Sequence, residues 1–124
     1  MLKVGLTHVS TLAVEQSNTA LALGSGDLPV FATPAMTALM ENAAMLAVAG
    51  ELQDAESTVG SMLNISHSKP SPLGEQISAT AELIEIDGRK LTFRVSAFDS
   101  CGVIGEGTHI RYVVNREKFM SKIK

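Results

Sequence analysis

Residues 33–50 read TPAMTALMENAAMLAVAG, and this stretch decides the architecture. Thr33 ahead of Pro34 predicts a helix start: a Thr N-cap, then a proline at the first helical position, where its missing N–H costs nothing. The helix is expected from Pro34 to about Ala49, with Gly50 as a left-handed C-cap. Met36, Leu39, Met40, Ala43, Ala44, Leu46, Ala47 and Val48 put apolar side chains almost all round it. That is the pattern of a helix wrapped by other structure rather than one lying on a surface. The wider run Leu28 to Gly50 is nearly uncharged, but Pro34, Glu41 and Asn42 make it a poor membrane span.

Working outward, the period changes from helical to two. Ser57 to His67 alternates Val59, Ser61, Leu63, Ile65 and His67 on one side, Ile77 to Ile86 alternates as well, and Leu91 to Asp99 places Leu91, Phe93, Val95 and Ala97 on one face. These segments are expected as strands. Asp87-Gly88 reads as a two-residue type I′ hairpin turn, and Asp99-Ser100-Cys101-Gly102 as a second tight turn into a last strand, Val103 to about Val114. Lys69 to Gly74, with Pro70 and Pro72, is a loop. Upstream, Leu6 to Val14 predicts a strand, followed by a looser segment and a Gly24-Ser25-Gly26-Asp27 turn. The sum is α+β: one long central helix wrapped by a curved antiparallel sheet of about five strands.

Its 124 residues make one domain, 1–124. With 45% hydrophobic and 19% charged residues, it should fold rather than stay disordered. Residues 1–110 hold five basic and twelve acidic groups, the last fourteen five basic and one acidic. An acidic body argues against nucleic acid as a partner. The basic end, Arg111 to Lys124, is expected as a solvated tail with the option of meeting an anionic ligand. Cys101 is the only cysteine, so no internal disulfide forms, and with His8, His67 and His109 it makes no metal-binding spacing. Met1 to Ser10 lacks the apolar block of a signal peptide, which leaves a cytoplasmic location as the expectation.

Glu41 is the only charged side chain between Leu28 and Gly50. In the middle of a buried helix it must be paired, raised in pKa or open to a cavity; a place on the helix's one wet stripe with Thr37 reads the pattern equally well. His67 ends a strand just before the proline loop, where a strand delivers a side chain to a cleft, though a strand-end histidine bonded to backbone is the plainer alternative. Thr33 is accounted for as an N-cap, yet that places its hydroxyl at the positive end of the helix dipole, where an oxyanion is stabilised. Gly105 and Gly107 share a strand face with His109 and Arg111, leaving room for the helix or a ligand. Arg111 reads either as a carboxylate or phosphate ligand or as a solvated arginine.

Together, Val30-Phe31-Ala32-Thr33-Pro34, Leu39-Met40-Glu41-Asn42-Ala43, Thr58-Val59-Gly60, Ile65-Ser66-His67, Pro72-Leu73-Gly74, Ala81-Glu82-Leu83, Asp87-Gly88-Arg89 and Gly105 to Arg111 resemble the fluoroacetyl-CoA thioesterase group of hotdog-fold proteins over residues 28 to 120. The resemblance implies a hotdog fold, a homodimer or dimer of dimers, and hydrolysis of a short acyl-CoA thioester without metal or bound cofactor. It places a catalytic trio on Thr33, Glu41 and His67 and substrate contacts on Gly60 and Arg111. It departs upstream: the fluoroacetyl specialist has bulky aromatics there, and no Phe, Tyr or Trp precedes Phe31 here. A hotdog module that binds acyl-CoA or another small ligand without turning it over is the alternative.

Thioester hydrolysis needs a nucleophile or base, an oxyanion site and a proton donor for the thiolate. On one straight helix, however, eight residues separate Thr33 and Glu41 by about 12 Å, too far to share one carbonyl. Either a preceding loop folds Thr33 back, or a second subunit completes the site.

Overall fold

The computed structural model describes residues 1–123. Strand β1 (Thr7–Ala13) is followed by a 3₁₀ turn (Gln16–Asn18), α1 (Ala20–Leu23), α2 (Thr33–Ala49), β2 (Glu56–His67), β3 (Gln76–Asp87), β4 (Lys90–Asp99), β5 (Gly102–Asn115) and α3 (Arg116–Ser121). The five strands form one antiparallel sheet in the order β1-β3-β4-β5-β2.

The core lies between α2 and one face of this sheet. Met36, Met40, Ala43, Ala44 and Val48 of α2 are fully buried, as are Ile77, Ala79, Ala81 and Leu83 of β3 and Leu91, Phe93, Val95 and Ala97 of β4. Each large apolar side chain so buried contributes about 1.5–3 kcal/mol, and the alanines let the helix approach the sheet closely. The helix lies across β1 and β3 and touches β2 little. Cover is therefore one-sided: Pro34, Ala38, Leu46 and Ala49 stay exposed, so the expected wrapping on nearly all sides does not occur within this chain.

Several local expectations are corrected. Helix α2 begins one residue early, with Ala32 as N-cap in extended conformation and no side-chain cap, which frees the Thr33 hydroxyl. Gly50 is right-handed (φ −72°, ψ −12°); the last carbonyls are met by tightened bonds, Gly50 and Glu51 N–H both donating to Val48 O. The first hairpin turns on Gly88-Arg89, because Asp87 already pairs with Lys90, and positive φ at Gly88 alone excludes type I′ and matches the glycine-first pattern of type II′. Residues 116–121 are exposed, as expected of a solvated end, but form a helix, α3, capped by Asn115 Oδ1 accepting from Lys118 N–H (3.0 Å); Lys124 lies outside the described residues.

The correction that bears on function is in β2. Its register against β5 shifts between Gly60 and Met62, a bulge at Ser61. Partners directly across a ladder share a face. Thr58 and Gly60 therefore lie on the helix side with Leu63, Ile65 and His67, opposite Val113, Arg111, His109, Gly107 and Gly105. The unbroken alternation expected from Val59 through His67 does not hold, and Val59 sits on the other face with Tyr112.

Candidate active site

The first half of the site joins the start of α2 to the end of β2. Thr33 Oγ1 and His67 Nδ1 are 2.8 Å apart, and Thr37 Oγ1 donates to Thr33 O at 2.7 Å. The segment entering α2 is pinned: Phe31 N–H donates to Ser71 O (2.9 Å), and the buried Ser71 hydroxyl donates to Asp99 Oδ2 (2.9 Å). The ring of Phe31 meets His67 edge-on, with centroids 6.4 Å apart. His67 Nε2 is buried without a hydrogen-bond partner among the described residues. Burial pushes the His67 pKa below the usual imidazole value, opposed in part by the Lys69 backbone. Phe31, Thr33, His67 and Lys69 line a cavity of about 310 Å³. A buried ring nitrogen without a partner, beside a cavity, is equipped to exchange a proton with whatever enters.

Two turns along α2 lies the second half. Glu41 Oε2 is 3.9 Å from Arg111 Nη1, so the helix acid is paired, while its side chain keeps 39% of its surface exposed. The arginine is 6% exposed and bound on each nitrogen: Nε donates to Thr58 Oγ1 (2.8 Å), Nη2 to Thr58 O (2.9 Å), and Nη1 lies 3.2 Å from His109 Nε2. The reading of Arg111 as a solvated arginine is thereby overturned. Burial lowers the Arg111 pKa and the Glu41 charge opposes that. Gly60 completes the cluster by what it lacks: a Cβ there would sit 2.7 Å from Glu41 Oε2, 3.2 Å from His109 Cε1 and 3.4 Å from Arg111 Nη1.

Thr33 thus meets His67, and Glu41 meets Gly60 and Arg111, but among the described residues no hydrogen bond or ion pair joins the two pairs. Thr33 lies inside the helix, so it is not folded back and the separation of about 12 Å stands. Thr58 was missed as a holder of Arg111, because only the β2–β5 register puts it beside the arginine, and His109, already placed on the same strand face, was not read as its partner. Gly105 makes room as expected: a Cβ there would fall 2.7 Å from Met36 Sδ of α2. Among the described residues no group of three His, Cys, Asp or Glu is placed to hold a metal, and no helix is long and apolar enough to cross a membrane.

Comparison with known proteins bears on the fold and the activity. Residues 14–117 match the profile of the family described as fluoroacetyl-CoA-specific thioesterase, FlK. The chain is 42% identical over 95 residues to the fluoroacetyl-CoA thioesterase of Streptantibioticus cattleyicolor, spanning 77% of this chain and 68% of that protein. It superposes on a structure of the fluoroacetyl-CoA thioesterase FlK with a TM-score of 0.92 and 36% identity, covering 99% of this chain and 96% of the other. A thioesterase-superfamily protein of Thermus thermophilus, 23% identical with a TM-score of 0.90 over 98% of this chain and 90% of its own, shares the fold. With the matched profile spanning most of its length and the helix-on-sheet architecture in common, the chain belongs to the fluoroacetyl-CoA-specific thioesterase family of hotdog-fold thioester hydrolases.

Proposed function

We propose that this acyl-CoA thioesterase splits a short acyl-CoA at a site shared by two copies of the chain, the Thr33–His67 pair of one facing the Glu41–Arg111 pair of the other. One observation carries the reading: the two half-sites lie at separate points along the same twelve-residue strand, β2, whose outer edge has no partner within the sheet. That edge contains neither proline nor lysine, the usual guards of an unpaired strand. Antiparallel pairing of β2 with its own copy about a two-fold axis at Asn64, with Ser61 bulged out, matches like faces and sets His67 of each chain across from Gly60 of the other. Each copy's proton donor then faces its partner's carboxylate.

In such a site Glu41 attacks the thioester carbonyl or takes a proton from the attacking water, and Arg111 orients the carboxylate. His67 Nε2 relays to the departing CoA thiolate the proton given up by the attacking water, received directly or through Glu41, so that over a turnover one water is consumed and neither residue changes its protonation. Thr33, with N–H groups at the start of α2, positions the carbonyl oxygen. The products are the free acid and CoA. Labelled oxygen from solvent water appearing in the Glu41 carboxylate after one turnover identifies the nucleophile; label confined to the product acid, with no acyl-enzyme anhydride trapped, identifies the base. Fluoroacetyl-CoA is the substrate named for the Streptantibioticus cattleyicolor relative, so the first panel sets it beside acetyl-CoA and longer acyl-CoAs.

The test is subunit complementation. Glu41→Gln and His67→Ala should each lower kcat by orders of magnitude with the fold intact. Mixed and allowed to exchange subunits, the two inactive variants should recover up to about a quarter of wild-type activity, since half of the dimers are hybrids and each hybrid has one intact site. No recovery despite proven exchange would place the whole site in one chain. A thermal shift with acyl-CoA but no thiol release by the wild-type protein would favour the binding-module alternative.

A further inference from the structure

His109 is fully buried on the inner face of β5, and its two ring nitrogens face different partners. Nδ1 is 2.8 Å from Met62 O. A carbonyl only accepts, so Nδ1 carries the ring hydrogen. Nε2 is 3.2 Å from Arg111 Nη1. A guanidinium only donates, so Nε2 presents its lone pair. Both contacts select the same neutral tautomer. The face of the ring lies over Phe93, with centroids 6.1 Å apart and planes 32° apart, which leaves it little freedom to turn.

We infer that His109 is a positioning residue for hydrolysis: as the neutral Nδ1–H tautomer it accepts from Arg111 Nη1 and, with Thr58, fixes the guanidinium edge that faces Glu41. Thr58 holds the Nε and Nη2 side of the arginine, and His109 holds the remaining nitrogen, the one 3.9 Å from Glu41 Oε2. Without the histidine, the guanidinium is held from the Thr58 side alone, and the edge that faces Glu41 loses its partner. Met62 follows the β2 bulge immediately, so the bulge fixes the carbonyl that fixes the tautomer. The ring thereby links the backbone irregularity of the edge strand to the placement of the carboxylate. This inference rests on the functional reading above for its catalytic consequence, though not for the tautomer.

Two measurements test it on the full chain. In NMR of nitrogen-labelled histidine at neutral pH, His109 should show a protonated Nδ1 and an unprotonated Nε2, with the Nε2 resonance moving in Arg111→Met. An Nε2–H tautomer, or a resonance indifferent to Arg111, overturns the inference. In a double-mutant cycle, His109→Phe should lower kcat/KM for a short acyl-CoA about tenfold in the wild-type background and less than about twofold in Arg111→Met. His109→Gln, which keeps one donor and one acceptor, should recover part of the loss. A histidine that only supports the fold would cost the same factor in both backgrounds, and that result also overturns the inference. Absence of hydrolysis by the wild-type protein would instead defeat the functional reading, with the tautomer still deciding where Arg111 is held.

Discussion

Gly60→Ala separates what the fold needs from what the chemistry needs. The backbone at Gly60 is not left-handed, so alanine fits its conformation, and losing a glycine from a strand is worth about 0.5–1 kcal/mol in the folded state's favour. Against this, the new methyl group would stand 2.7 Å from Glu41 Oε2, where ordinary contact begins at 3.4 Å. Glu41 is partly exposed and flexible, so its carboxylate moves aside at small cost, and thermal stability should change little. The move needed is about 0.7 Å, and a misplacement of about 1 Å can cost a hundredfold in rate, so kcat should fall roughly ten- to a hundredfold. Thiol release from a short acyl-CoA, measured beside a thermal melt, reads both quantities. Gly50→Ala is the control: nothing lies within 4 Å of its added methyl, and it should leave turnover unchanged while stabilising by about 0.4–1 kcal/mol. Wild-type kinetics from Gly60→Ala, or parallel loss of stability and turnover, would refute the reasoning.

Thr33→Ala is informative because Thr33 is not the cap of α2: its stability cost should stay below the roughly 1 kcal/mol of a lost N-cap while turnover falls, and a full cap penalty in urea denaturation would contradict the observed helix start. Stability should also decline as the pH falls from about 7 to 5. Burial lowers the folded-state pKa of both His67 and His109 below 6.5, so the unfolded chain binds protons first; the loss begins as pH drops through the unfolded value and levels off below the folded ones. For His109 the slope is at most about 1.4 kcal/mol per pH unit, His109→Phe should flatten it, and a wild-type urea midpoint constant over that range would refute it. Asp99 acts in a separate, lower window, because backbone N–H donation from Cys101 holds its carboxyl below 3.8 and its contribution is lost only at more acid pH.

The helix and all five strands were legible because each is long and carries its own period. Errors fall where a residue type has two uses. Thr33 before Pro34 carries the local signal of a cap, but its hydroxyl is taken by His67, thirty-four residues away. Gly50 carries the signal of a left-handed cap, but the following turn serves the last carbonyls without it. In β2 the strand was visible and its bulge was not, because a bulge is a relation between two strands and β5 lies some fifty residues downstream. Thr58 escaped notice as a holder of Arg111 for that same reason, whereas His109 shares the arginine's strand face and only its hydrogen bond went unread. Glu41 needed no partner to be conspicuous, since one charge in an apolar helix calls for an explanation by itself.

The bulge also bears on how such a site is assembled. Residues beyond it are displaced by one position, so Gly60 and His67, seven apart in sequence, both face the helix, which strict alternation would forbid. In the proposed dimer those two must face the same cleft from opposite chains, and without the bulge one of them would point away. Ser61 is the extra residue that the bulge takes out of the alternation, which keeps Gly60 and His67 on one face. The irregularity sits on the strand whose free edge receives the second copy, and deleting Ser61, which leaves Gly60 and His67 six apart, should straighten the strand with both half-sites still facing the helix, so retained turnover by that variant checks the register.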